Sequence, residues 1–192
     1  MSAFRLVSTP PYGQPHDGDG GHTILIANGP NAATWHWRLS VTQLERDSDF
    51  SALADTRCQL VTLDAPLQLR FTDGREHTLP RLRVIHLDGV DAPQASLLEG
   101  ATRVFHLALR DFEQGELIAR PLNGAMWLPL RSGSRWFVHL LNGQASVLAQ
   151  PNQSTHESFE MAPSQSLWID AQPGQRVRID GGGELLLVQL AD

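Results

Sequence analysis

The stretch Trp35-His36-Trp37-Arg38-Leu39-Ser40-Val41 alternates apolar and polar residues, which is the period of a β-strand with two different faces. One face carries tryptophan, leucine and valine and is expected to pack against a core. The other face carries His36, Arg38 and Ser40. In a flat antiparallel sheet these three side chains would usually meet water. In a sheet curved into a barrel they would line a cavity, where a guanidinium, an imidazole and a hydroxyl group suit a carboxylate.

Similar short runs recur along the whole chain and predict an all-β protein. The predicted strands are Thr23 to Ala27, Trp35 to Val41, Cys58 to Leu63, Leu67 to Phe71, Leu82 to His86, Val104 to Leu109, Trp136 to Leu141, Ala145 to Leu148, Ser166 to Ile169, Val177 to Ile179 and Leu185 to Leu190. Turn signals separate them, including Asn142-Gly143 and Gly181-Gly182-Gly183. Many short strands with tight turns predict a jelly roll or a pair of them.

Composition excludes several classes of function. The chain has 192 residues, a formal net charge of −6 and no cluster of basic residues, which argues against nucleic acid as a partner. Its fifteen basic residues are all arginine. It has no run of about 18 apolar residues and no charged leader before an apolar stretch. A cytoplasmic location without membrane contact is therefore expected.

Catalytic and metal-binding motifs are weak. The single cysteine, Cys58, excludes an intramolecular disulfide and is interpreted as a small core residue. No pair of histidines separated by one residue occurs, although that spacing puts two metal ligands on one face of a strand. The chain also lacks a nucleophile elbow, a phosphate-binding loop and any lysine for Schiff-base chemistry. No cofactor or metal is predicted.

Three short motifs resemble the HutD/Ves family of small bacterial proteins. They are Trp37-Arg38-Leu39-Ser40, Phe50-Ser51, and Arg57 leading into the strands from Leu60 to Leu69. The resemblance implies a bicupin fold, with two fused jelly-roll or cupin-like β-barrels. It also implies a link to histidine utilisation, in which the family is thought to hold or sense an intermediate such as formylglutamate and to limit pathway flux.

The resemblance also suggests how the chain is organised. Residues 1–115 are predicted to form an N-terminal cupin-like half and residues 116–192 a C-terminal half, within one compact unit. The stretch from Pro10 to Gly21 is rich in proline, glycine and aspartate, and is interpreted as an irregular segment or a mobile lid over a mouth.

The chain departs from the family pattern in two places. After Thr23 it reads Ile24-Leu25-Ile26, where the family usually continues to an arginine. Farther along, Val104, His106 and Ala108 stand about where the family favours an aspartate, an asparagine and a methionine. The scaffold is therefore expected to be retained, while the ligand chemistry has changed.

The leading hypothesis is a non-enzymatic protein that binds a small carboxylate. Arg38 and Arg57 are predicted to contact the anion, with Ser40, His36 and His106 as orienting groups. The structural alternative for the arginines is a salt bridge to Asp55 or Glu45 at the barrel rim.

Two other functions are kept open. One is a cupin enzyme, an isomerase or dioxygenase, with a metal held by His36, His106 and His139. The other is an interaction protein with a vestigial pocket, which forms a homodimer through its sheet edges.

Overall fold

The computed structural model describes residues 4–7, 16–18, 21–110, 114–131, 133–150, 157–170 and 175–191. The strands in chain order are β1 (Phe4–Val7), β2 (His16–Gly18), β3 (Gly21–Gly29), β4 (Trp37–Leu44), β5 (Ser48–Asp49), β6 (Thr56–Thr62), β7 (Leu67–Arg70), β8 (Glu76–Leu79), β9 (Val84–Asp88), β10 (Gln94–Leu97), β11 (Thr102–Arg110), β12 (Gly115–Leu128), β13 (Ser134–Gln150), β14 (Glu157–Met161), β15 (Ser166–Ile169) and β16 (Arg176–Ala191). The described part of the chain contains no helix, and hence none that could cross a membrane. The predicted all-β class is confirmed.

The strands belong to two compact units. The first unit comprises Met1–Thr9 together with Gln114–Asp192, and the second comprises Pro10–Glu113. β1 is part of the first unit because it pairs antiparallel with β15. Most of the predicted lid, residues 10–15 and 19–20, lies outside the described residues.

The second unit is a sandwich of two antiparallel sheets. The larger sheet has the strand order β2-β3-β4-β11-β6-β9, and the smaller has the order β5-β10-β7-β8. Leu60 and Val104 of the larger sheet are buried in one cluster with Leu67, Leu69 and other residues of the smaller sheet. This packing of two sheets around one core is typical of a jelly roll.

β4 lies in the interior of the larger sheet, between β3 and β11. Its alternation gives the two faces that the sequence predicts: Leu39 is buried on one face, and Ser40 and Thr42 are buried on the other. The flat, solvated alternative is therefore wrong for this part of the strand, because both of its faces are covered.

The first unit is built around β13 and β16, which pair over nearly their whole lengths. Its sheet runs β1-β15-β13-β16-β12, and β14 adds to β13. The core is a cluster of fifteen buried residues, all apolar, including Trp136, Val138 and Leu140. The interior of this unit is thus occupied by its own side chains.

Two predicted turns of the first unit are wrong. Asn142-Gly143 lies inside β13, and Gly181-Gly182-Gly183 lies inside β16, directly opposite it. A Cβ on Gly143 would overlap the carbonyl oxygen of Gly182, and a Cβ on Gly183 would overlap that of Asn142. Glycine here permits two backbones to approach closely at a β-bulge, instead of reversing the chain.

Candidate functional site

A cavity of about 230 Å³ lies in the second unit. Its apolar lining includes Leu44, Leu53, Leu60 and Leu87. Arg38, Ser40, Thr42 and His106 supply polar groups, and Asp49 and Asp88 supply carboxylates. An apolar wall with a few polar groups is the composition expected of a small-molecule site.

Strand register brings the polar residues together. Ser40 on β4 lies directly opposite His106 on β11, and Leu60 on β6 lies opposite His106 on its other side. Arg38 lies opposite Ala108, which in turn lies opposite Cys58. Arg38 and His106 are thus diagonal neighbours, and side chains at such positions are within reach of one another. The small side chain of Ala108 occupies little of the space between Arg38 and Cys58.

Arg38 has an unusual environment for a charged residue. Burial lowers the pKa of its guanidinium below the ordinary value, and the neighbouring charge of Arg110 lowers it further. The group still stays protonated at physiological pH. Within the described residues, the Arg38 side chain forms no ion pair or hydrogen bond, so its predicted salt bridge to Glu45 or Asp55 is not formed.

Trp35, three residues before Arg38 in the sequence, lies close to the guanidinium groups of both arginines. The Arg110 guanidinium lies 3.9 Å from the centroid of the Trp35 ring, and the Arg38 guanidinium lies 6.0 Å from it. Cation–π contacts of this kind attract a guanidinium without neutralising it. Both guanidinium groups therefore stay positively charged, and Arg38 is the one that lines the cavity.

His106 is held as a neutral imidazole. Burial lowers the pKa of its side chain to about 4, and the charge of Arg38 acts in the same direction. Its Nε2 atom is shielded from solvent and has no hydrogen-bond partner. The Phe50 ring meets the imidazole edge-on, with 5.3 Å between the ring centroids. The site thus contains a buried polar group that the protein does not satisfy.

Two of the predicted ligand-binding residues lie elsewhere. His36 is exposed and precedes β4, where its backbone N–H donates to the Gly29 carbonyl oxygen over 2.6 Å. Arg57 is exposed on β6, and its neighbour Cys58 faces the cavity instead. The structure therefore brings Arg38, Ser40 and His106 together, and it does not bring His36 or Arg57 to them.

Several lining residues were not predicted from the sequence. Thr42 follows Arg38 and Ser40 on the same face of β4, and its hydroxyl group lies 2.8 Å from that of Thr23 on β3. Strand alternation could have identified Thr42. Asp49 and Asp88 could not be found in this way, because their place depends on the pairing of distant strands.

The structure gives no support to a thiol or metal centre. Burial raises the pKa of the Cys58 thiol, which disfavours the thiolate form needed for nucleophilic attack. Within the described ranges, no group of three or more His, Cys, Asp and Glu side chains is arranged to hold a metal ion. His36, His106 and His139 accordingly form no such group.

Comparisons with known proteins agree with this architecture. The model of the HutD family matches residues 14–187. HutD from Pseudomonas fluorescens has 16% identity and a TM-score of 0.78, covering 99% of this chain and 100% of its own. A conserved protein of unknown function from Pseudomonas aeruginosa has 18% identity and a TM-score of 0.85, covering 100% of both chains.

More distant similarity extends to a cupin. A cupin 2 conserved barrel domain protein from Leptotrichia buccalis has 9% identity and a TM-score of 0.56, covering 94% of this chain and 92% of its own. None of the curated proteins matches this chain. Together with the strand order, these similarities confirm the predicted bicupin fold.

Proposed function

The chain belongs to the HutD family, and from this premise we propose that the cavity of its second unit binds a small carboxylate. As a member of the family, it is a histidine-utilisation-associated protein with a cupin fold. In the proposed role it holds a ligand of the formylglutamate type and thereby modulates histidine utilisation, without catalysing a reaction.

The observation that carries this proposal is the charge of Arg38. A guanidinium that loses water on burial and gains no carboxylate partner raises the free energy of the folded protein. An anion that enters the cavity supplies the missing partner through two parallel hydrogen bonds, which match the geometry of a carboxylate. The free-energy cost of burying the unpaired Arg38 guanidinium is then relieved on binding, and this relief contributes to the affinity for the anion.

The dimensions and lining of the cavity suit a small metabolite. Sites for drug-sized ligands have volumes of roughly 300–1,000 Å³, and this cavity is smaller, at about 230 Å³. The Ser40 hydroxyl and the His106 imidazole lie beside Arg38 and offer neutral hydrogen-bonding groups. The leucine side chains of the lining suit a short aliphatic chain.

Thermal unfolding of chelator-treated protein tests the proposal. A ligand that binds only the folded state raises the midpoint, so formylglutamate, glutamate, urocanate, histidine and divalent metals are compared at equal concentration. We expect a rise with an acidic histidine-pathway metabolite, abolished in Arg38→Gln and retained in Arg46→Gln, which alters an exposed arginine of the same unit. A rise with metals alone would support the enzyme alternative, and no rise would contradict ligand binding.

A further inference from the structure

His106 differs from the partly buried histidine of the first unit. The Nδ1 atom of His139 lies 2.8 Å from the Ser166 hydroxyl oxygen, a hydrogen bond that the protein itself provides. No residue in the described part of the chain provides one for His106, and its Nε2 atom is shielded from solvent as well. Leaving a buried polar group unpaired is costly, and because His106 also lines the cavity, a molecule bound there can supply the missing partner.

The surroundings of His106 define the chemistry of that partner. Arg38 is its positively charged diagonal neighbour, Ser40 lies directly opposite, and the edge of the Phe50 ring closes one side. A second positive charge beside Arg38 is unfavourable, so the imidazole stays neutral and offers one donor and one acceptor. A neutral amide or hydroxyl group complements such an imidazole without bringing a further charge into the cavity.

We propose that His106 selects the ligand: the carboxylate binds Arg38, and a neutral amide or hydroxyl group of the same molecule hydrogen-bonds the His106 imidazole. This inference rests on the proposed function and specifies which carboxylates the cavity prefers. A carboxylate without the neutral group can still pair with Arg38, but it leaves the imidazole unsatisfied. Sites that hydrogen-bond a ligand in this way reject analogues that lack the group.

The probes are formylglutamate and glutarate, which share the two carboxylates and differ by the formamide group. Isothermal titration of the whole chain should give about 10- to 100-fold tighter binding of formylglutamate, because glutarate leaves the buried imidazole unpaired. In His106→Phe, which keeps a ring against Phe50, we expect this ratio to fall to within about threefold of unity. Glutarate affinity should stay the same or improve, because the variant has no unpaired group.

His106→Gln provides the rescue, since a glutamine amide is neutral and can hydrogen-bond the ligand. It should restore part of the preference for formylglutamate, and thermal unfolding of both variants checks that they fold. An unchanged ratio in His106→Phe would overturn the role of His106. Equal binding of the two probes by the unmodified chain would also overturn the role of His106, but it would leave carboxylate binding at Arg38 intact. Binding of neither probe would overturn the proposed function and this inference together.

Discussion

The two units are both built from antiparallel strands but differ in what fills their interiors. Alternate residues of β13 in the first unit are Trp136, Val138 and Leu140, all buried in an apolar cluster. Alternate residues of β4 in the second unit are Arg38, Ser40 and Thr42, and they line a cavity. Hydrophobic burial thus stabilises the interior of the first unit. In the second unit, the polar residues on this face of β4 contribute less hydrophobic stabilisation than apolar residues would.

Polar groups inside the two units also differ in their partners. In the first unit, the His139 ring lies within hydrogen-bond distance of Ser166 and Arg178 forms an ion pair with Asp180, although Trp136 Nε1 and Arg178 Nε are shielded from solvent without a hydrogen-bond partner. In the second unit, Arg38 has no carboxylate partner in the described part of the chain, and His106 Nε2 has no hydrogen bond. An unpaired buried atom alone therefore does not mark a site; His106 differs from Trp136 because it lines a cavity beside Arg38.

The largest loss of stability is expected from a substitution in the apolar core of the first unit. Leu167→Ala removes a fully buried side chain and should reduce the free energy of unfolding by about 3 kcal/mol, through lost burial and a residual cavity. Urea denaturation measures the change. Affinity for the carboxylate should not change, because Leu167 is not part of the second unit. Loss of binding in a folded Leu167→Ala variant would contradict this division of roles.

The second largest change in stability is expected on acidification, and His106 is its source. The imidazole of an unfolded chain has a pKa of about 6.5, and that of His106 in the folded state is about 4. The unfolded state therefore binds more protons between these values, so the free energy of unfolding falls as the pH falls through this range. The loss has an upper limit of about 3 kcal/mol.

Urea denaturation of the unmodified chain and of His106→Phe, at pH 7 and at pH 4.5, isolates this contribution. The variant should lose less stability on acidification, since its residue 106 does not titrate. Arg38, Asp49 and Asp88 line the same cavity and are present in both proteins, so the difference between the two losses reports on residue 106. Equal losses in the two proteins would show that His106 is not held neutral.

The smallest changes in stability are expected from substituting one serine in each unit. Ser166→Ala removes the hydroxyl group that bonds His139 and should cost about 1 kcal/mol of unfolding free energy. Ser40→Ala removes a buried hydroxyl group without a hydrogen-bond partner in the described residues, and should cost less than about 0.5 kcal/mol. Thermal unfolding compares the two variants without ligand. A larger loss in Ser40→Ala would mean that Ser40 serves the fold.

Sequence alternation located nine of the sixteen strands in the described part of the chain, because the period of two is a local property, but it missed seven others, including the 14-residue strand β12. β4 and β11 lie where the patterns around Arg38 and Phe105 put them. The turn signals at Asn142-Gly143 and Gly181-Gly182-Gly183 failed, since glycine also permits close contact between paired strands. Whether a glycine turns the chain or sits in a bulge depends on what lies opposite, and one sequence does not contain that information.

The site was only partly predictable for the same reason. Arg38 and Ser40 share one face of β4, so alternation found them together. Alternation also puts Arg57 and Cys58 on opposite faces of β6, and this could have removed Arg57 from the predicted site. The position of His106 beside Ser40 depends on the register of β11 against β4, which is a long-range property.

Isothermal titration of formylglutamate tests carboxylate binding by the second unit, because it measures stoichiometry and affinity together. We expect one molecule bound per chain, in the cavity of the second unit. Arg38→Gln should weaken binding at least about 30-fold, while Arg178→Gln, which alters the paired arginine of the first unit, should leave it unchanged. Two molecules bound per chain, or undiminished binding by a folded Arg38→Gln variant, would contradict a single carboxylate site at Arg38.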